Sequence, residues 1–117
     1  MIVELVTFKT PEAWDRERVL DDAKHTIPKW SANRDLLRKH FALGLDGDEG
    51  TSAGIYVWPS VEAAKKAHDE AWREAVKKRT GGYPAIRYFD LFLLIDNEHS
   101  QVTEWAADGK ARVLEPA

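Results

Sequence analysis

The stretch Gly54-Ile55-Tyr56-Val57-Trp58-Pro59-Ser60-Val61-Glu62-Ala63-Ala64 carries an apolar strand through one proline into a helix opened by Ser60. Its β-branched and aromatic residues favour a pleated surface, Pro59 cannot donate to a ladder, and the Ser60 hydroxyl suits the first backbone N–H groups of a helix. A strand is therefore expected over Ala53 to Trp58. The helix is expected to run to about Lys78, with Val61, Ala64, His68, Ala71 and Ala75 on one stripe and Gly81-Gly82 as its end.

Upstream, Ile2 to Phe8 is β-branched or apolar with a single acid and reads as a strand, after which Thr10 can cap a helix and Pro11 suits its first turn. Val19, Leu20, Ala23 and Ile27 recur at helical spacing up to Pro28. A further strand is expected over Leu36 to Leu43, followed by the turn-rich Gly44-Leu45-Asp46-Gly47-Asp48-Glu49-Gly50. That loop places Val57 where a calcium loop requires a bidentate acid, so it reads as a turn. The last strand is expected over Ile86 to Ile95.

The order β-α-β-β-α-β gives an α+β, ferredoxin-like fold, a four-stranded antiparallel sheet with two helices on one face. The last strand is apolar on both sides, with Ile86, Tyr88, Phe92 and Leu94 on one and Phe89, Leu91, Leu93 and Ile95 on the other. Helices cover one face only, so a second copy packing sheet to sheet is expected, giving a homodimer. Residues 1–97 form this domain. Residues 98–117 are an extension in which Asp108-Gly109 signals a turn, as a hairpin, an arm over the partner or a frayed tail.

Composition narrows the partners. Seventeen basic and 20 acidic residues in 117 give a scattered net charge of −3, which favours neither nucleic acid nor a membrane surface. The absence of cysteine excludes disulfides, thiolate nucleophiles and cysteine-held metals. A start lacking a basic flank and the absence of a long apolar run point to a soluble, cytoplasmic protein. No two histidines stand at two-, three- or four-residue spacing, so no metal is expected.

Ser52-Ala53-Gly54-Ile55-Tyr56-Val57-Trp58, the helix that follows, Arg87-Tyr88-Phe89-Asp90 and Lys39 together resemble the YdhR-like mono-oxygenases of the dimeric α+β barrel superfamily, over roughly residues 1–101. The resemblance implies a ferredoxin-like subunit pairing into a barrel, a pocket between sheet and helices, and oxygenation with neither metal nor organic cofactor. Haem-degrading members of the superfamily use an asparagine on the first strand with a tryptophan and a histidine on the second helix. Here Met1 to Lys9 has no asparagine, and His68 precedes Trp72, which disfavours haem.

Cofactor-free oxygenation needs a base, a group to stabilise the substrate anion and a dry pocket. His68 and Trp72, four apart on the second helix, supply a base and an aromatic wall, or else a satisfied core histidine and a packing residue. Tyr56 and Trp58 share a strand face, where they either orient an aromatic substrate or, for Trp58 above all, pack in the core or the dimer interface. Arg87 either clamps an anion or makes a rim ion pair, and in a regular strand it points away from Tyr88 and Asp90, the latter a candidate for a buried polar network. His40 is a competing base or substrate contact, His25 a third candidate, and both also read as solvated; His99 reads as loop. The expected catalytic set is His68, Arg87 and Tyr56, with Trp72, Trp58 and His40 contacting a small aromatic or polyphenolic substrate of a mono-oxygenase. The rivals are a non-catalytic small-molecule-binding dimer, and an isomerase or decarboxylase on the same scaffold.

Overall fold

A computed structural model describes residues 1–115. The elements are β1 (Ile2–Lys9), α1 (Arg16–His25), α2 (Ile27–Ser31), β2 (Arg38–Leu43), β3 (Thr51–Trp58), α3 (Val61–Ala67), α4 (Glu70–Thr80), β4 (Ala85–Asp90), β5 (Leu93–Asp96), β6 (Gln101–Trp105) and β7 (Ala111–Leu114). The first four strands in the ferredoxin-like order β2-β3-β1-β4 form one antiparallel sheet, as the sequence leads one to expect. The helices pack on one of its faces. Val6, Tyr56, Trp58, Ala64 and Trp30 make the core between the two layers.

Each departure from the sequence reading has a local cause. The first helix starts later than Thr10, because that hydroxyl is engaged with Ser52 Oγ at 2.7 Å and Pro11 to Trp14 closes a turn instead. Asp15 caps α1, accepting from the Arg18 amide at 2.8 Å, and Pro28 sits in the first turn of the separate short α2. The helix that Ser60 opens, its hydroxyl accepting from the Ala63 amide at 3.2 Å, is two helices rather than one. His68 leaves helical geometry at φ −109°, ψ 58°, and Asp69 caps α4 by accepting from the Trp72 amide at 2.9 Å. An aspartate that can bond a backbone N–H three residues on offers the chain a new helix start in place of continuation. Gly81, at φ 89°, ends α4 in the left-handed region that favours glycine.

The last predicted strand is also divided. Leu91 N–H bonds the Met1 carbonyl at 2.9 Å at the end of the β1 ladder, and β5 then joins β6 and β7 in a separate three-stranded antiparallel sheet. The alternation read from Ile86 to Ile95 therefore applies to the main sheet only as far as Asp90; Phe92 is exposed between the two sheets, and Leu93 and Ile95 are exposed on the second. The chain reverses between β6 and β7 at Asp108-Gly109, where the Gly109 amide bonds the Ala106 carbonyl at 2.9 Å. The last two residues of the expected extension, 116 and 117, lie outside the described residues.

Strand register matters most for function. Lys39 pairs with Tyr56, Tyr56 with Glu4, and Glu4 with Tyr88, so four polar side chains form one row across the helix-covered face. Beside that row lies Gly54, opposite Val6 on β1 and Phe41 on β2. A Cβ there would come within 2.8 Å of Tyr56 Cε1 and 3.1 Å of its hydroxyl, so the phenol lies over the glycine. Gly54→Ala is expected to lower stability by about 1–3 kcal/mol through overpacking, measurable by urea denaturation.

Candidate functional site

Glu4 is fully buried at the centre of the sheet, an unusual place for a carboxylate. It is kept there by two donors. Trp58 Nε1 donates to Oε1 at 2.9 Å, and His68 Nδ1 lies 2.9 Å from Oε1 and 3.0 Å from Oε2. The break between α3 and α4 is what lets His68 reach into the sheet. With Nδ1 donating to the carboxylate, Nε2 is left buried and without a hydrogen-bond partner among the described residues. The Tyr88 hydroxyl, on the cross-strand partner of Glu4, is buried without a hydrogen-bond partner among the described residues, and burial, then the Glu4 charge, raise its pKa.

Aromatic rings enclose this cluster. The His68 ring lies 4.2 Å from Trp72, 4.7 Å from Tyr56 and 5.5 Å from Trp30, measured between centroids. Tyr56 stacks on Trp58 at 5.9 Å and meets Trp30 edge-on at 5.3 Å. Beyond these rings opens a cavity of about 580 Å³, walled by Trp14, Trp30, Phe41, Tyr56 and Trp72, with Arg16, Lys39 and Arg79 as its basic groups. A volume of this size suits a small organic ligand. Arg79 is partly engaged with Asp22 at 3.9 Å, a half-exposed pair.

Lys39 faces this cavity with its ammonium 3.9 Å from the Phe41 ring centroid, 4.1 Å from Trp30 and 4.6 Å from Tyr56. Burial lowers its pKa to about 7, aided by the positive charges of Lys29 and Arg79 and opposed by Glu4. The ring faces attract the charged form and offset part of that cost. Tyr56 is shifted the other way: burial, then the Glu4 charge, raise its pKa far above the ordinary phenol value, so it stays a donor.

Of the residues singled out from sequence, the structure brings together His68, Tyr56, Trp58 and Trp72. Only Tyr56 and Trp72 reach the cavity wall. His68 stands behind them and Trp58 is fully buried, and neither borders the cavity. Arg87 and His40 lie on the opposite sheet face, since they pair with Leu5 and Ile55 while the helix-side row runs through Glu4 and Tyr56. Arg87 there covers the Phe89 ring at 5.1 Å, and Asp90 lies exposed at the strand end. His25 bonds the Asp21 carbonyl and His99 the Asp96 carboxylate, both at 2.8 Å on the exposed surface. Among the described residues no cluster of three His, Asp or Glu side chains could hold a metal ion.

Sequence reasoning passed over Glu4, Trp30 and the chemical role of Lys39. A signal was available for two of them: each is a charge at a strand position whose parity matches the apolar helix-side residues, Glu4 between Ile2 and Val6, and Lys39 two before Phe41.

No protein-family model and no curated protein matches the chain. Solved structures do. A candidate antibiotic biosynthesis monooxygenase from Caulobacter crescentus is 20% identical with a TM-score of 0.53, covering 77% of this chain and 88% of its own. A second antibiotic biosynthesis monooxygenase is 18% identical, TM-score 0.53, covering 78% and 98%. Rv0793 from Mycobacterium tuberculosis is 12% identical, TM-score 0.56, covering 79% and 96%. At such identities the likeness establishes the fold, that of the antibiotic biosynthesis monooxygenase structures, and leaves chemistry to be argued from the site.

Proposed function

We propose that this protein is a mono-oxygenase acting without a bound cofactor on a small aromatic or polyphenolic compound. One observation carries the reading: an aromatic-walled cavity holds a lysine amine beside a phenol that stays protonated. A substrate phenol stacked between the rings gives its proton to the free amine of Lys39. The resulting anion is held by that ammonium and by the Tyr56 hydroxyl. It then passes an electron to dioxygen in a site from which the rings exclude water. For an anthrone-like carbon the atoms balance: one oxygen enters as the carbonyl, the other leaves as water with both hydrogens of the methylene, and the substrate supplies the electrons. His68 and Glu4 act as positioning residues, fixing the Tyr56 and Trp72 rings from behind. The fold of structures described as antibiotic biosynthesis monooxygenases supports the same reading.

The test is dioxygen uptake in an aerobic screen of quinols and anthrone-like phenols. Uptake is expected with at least one of them. Product formed equally well under strict anaerobiosis would instead identify an isomerase or decarboxylase, and binding without turnover a non-catalytic binding protein.

The same reading includes a homodimer. Val3, Leu5, Ile55 and Val57 project to the face opposite the helices, and Phe89 beside them is 43% exposed. At about 25 cal/mol per Å², burying some 1,500 Å² of such surface against a second copy exceeds the cost of association. Light scattering after size exclusion is expected to give twice the 13.3 kDa chain mass; a stable monomer at micromolar concentration would overturn the pairing.

A further inference from the structure

We infer that Lys39 is also a nucleophile, which condenses reversibly with aromatic aldehydes entering the cavity and so makes the protein a carbonyl-capturing site. This chemistry needs neither dioxygen nor an acidic substrate, and it stands whether or not the mono-oxygenase reading does. Three features of the geometry carry it. Among the described residues no carboxylate lies within ion-pair distance of the Lys39 amine, whereas Lys110, an exposed lysine, sits 4.0 Å from Asp108. The amine borders a cavity large enough for a bicyclic ring, with Trp14, Trp30, Phe41 and Trp72 to stack on it. Tyr56, the cross-strand partner of Lys39, offers a phenol beside the reacting atoms.

Desolvation in an apolar pocket is what turns a lysine into a carbonyl nucleophile, because it disfavours the ammonium and leaves a lone pair near neutral pH. The lowered pKa of Lys39 accords with that: burial is its largest cause, Lys29 and Arg79 add to it, and Glu4 opposes it. In the reaction the Nζ lone pair attacks the carbonyl carbon and the π electrons move to oxygen, which takes a proton. The nitrogen lone pair then expels this oxygen as water, the Tyr56 hydroxyl holding it by a hydrogen bond while solvent supplies the proton and takes one from nitrogen. The product is an imine conjugated with the substrate ring, and water addition reverses every step.

The experiment treats the full chain anaerobically at pH 7 with 2-naphthaldehyde and sodium cyanoborohydride, which delivers hydride to the imine carbon and fixes a secondary amine. Intact mass and peptide mapping then locate the adduct. The expected result is modification of Lys39 at least tenfold faster than of any other lysine or the terminal amine, saturable in naphthaldehyde and not reproduced with acetaldehyde. Adducts spread over the exposed amines, with Lys39 no faster than they are, would overturn the inference. Because mapping is done on the unmodified sequence, the result does not depend on a variant folding. Lys39→Arg, which keeps a cation against the rings but has no free amine, is expected to lose the fast adduct while slow labelling of the other amines continues.

Discussion

Replacing Glu4 with alanine is expected to lower stability by about 3–5 kcal/mol, because it strands two buried donors at once and leaves a hole between them. Trp58 Nε1 and His68 Nδ1 both end on this carboxylate, and neither has another acceptor among the described residues. For a domain whose total stability is of the order of 5–15 kcal/mol, such a loss is a large fraction of the whole. Glu4→Gln is the sharper probe: its carbonyl still accepts one of the two hydrogen bonds while its amide N–H₂ opposes the other donor, so an intermediate loss is expected. Urea midpoints for the three proteins at equal protomer concentration check the order wild type, glutamine, alanine. A near-neutral Glu4→Ala would show that the carboxylate does not organise the core. The same series reads out on the site, since His68 and the rings around it rest on Glu4: the glutamine variant is expected to raise KM by more than it lowers kcat.

The second large effect is on turnover. Lys39→Met keeps an apolar side chain of similar length in the cavity and removes the only amine among the described residues that borders it, and dioxygen uptake is expected to fall by about 10²–10⁴-fold if that amine takes the substrate proton. The pH dependence adds a signature that a packing role would not give. The base is the free amine, so kcat/KM for wild type should rise as pH passes upward through about 7, where Lys39 loses its proton. The methionine variant should show no such rise. Stability follows the same proton: the folded state holds Lys39 less basic than the unfolded chain, whose lysine titrates near 10.5. Between about pH 7 and 10.5 the unfolded chain binds more protons, so this residue adds stability as pH rises across that window, and its unfavourable contribution is fully present below it. His68→Gln, by contrast, removes no group from the cavity wall. Its expected effect on turnover is smaller than that of Lys39→Met, and equal losses in the two variants would return the base role to His68.

Why His68 and Lys39 exchange places between the two readings is a matter of register and of one helix break. A histidine four before a tryptophan on a continuous helix faces wherever the tryptophan faces. Asp69 was the sign available, since an aspartate followed by Glu70 suits a helix start. The consequence could not be read in advance, because it depends on Glu4 lying across the sheet, 64 residues away in sequence. Arg87 and His40 illustrate the opposite situation. Their parity relative to Tyr88 and Lys39 is set by the two-residue period of a strand, and the same period that identified Tyr56 and Trp58 as neighbours excludes Arg87 and His40 from the helix side.

By itself the sequence determined the order of the four main strands, the ferredoxin-like sheet and the shared face of Tyr56 and Trp58, because these follow from local periodicity, caps and turn residues acting over a few positions. Tertiary structure alone decided that Lys39, Tyr56, Glu4 and Tyr88 form one row, that His68 is drawn behind the cavity wall, and that Leu93 to Asp96 leaves for a second sheet. Those outcomes rest on pairing between distant strands and on satisfying a buried carboxylate, and such long-range constraints leave no periodic mark in the chain they bring together.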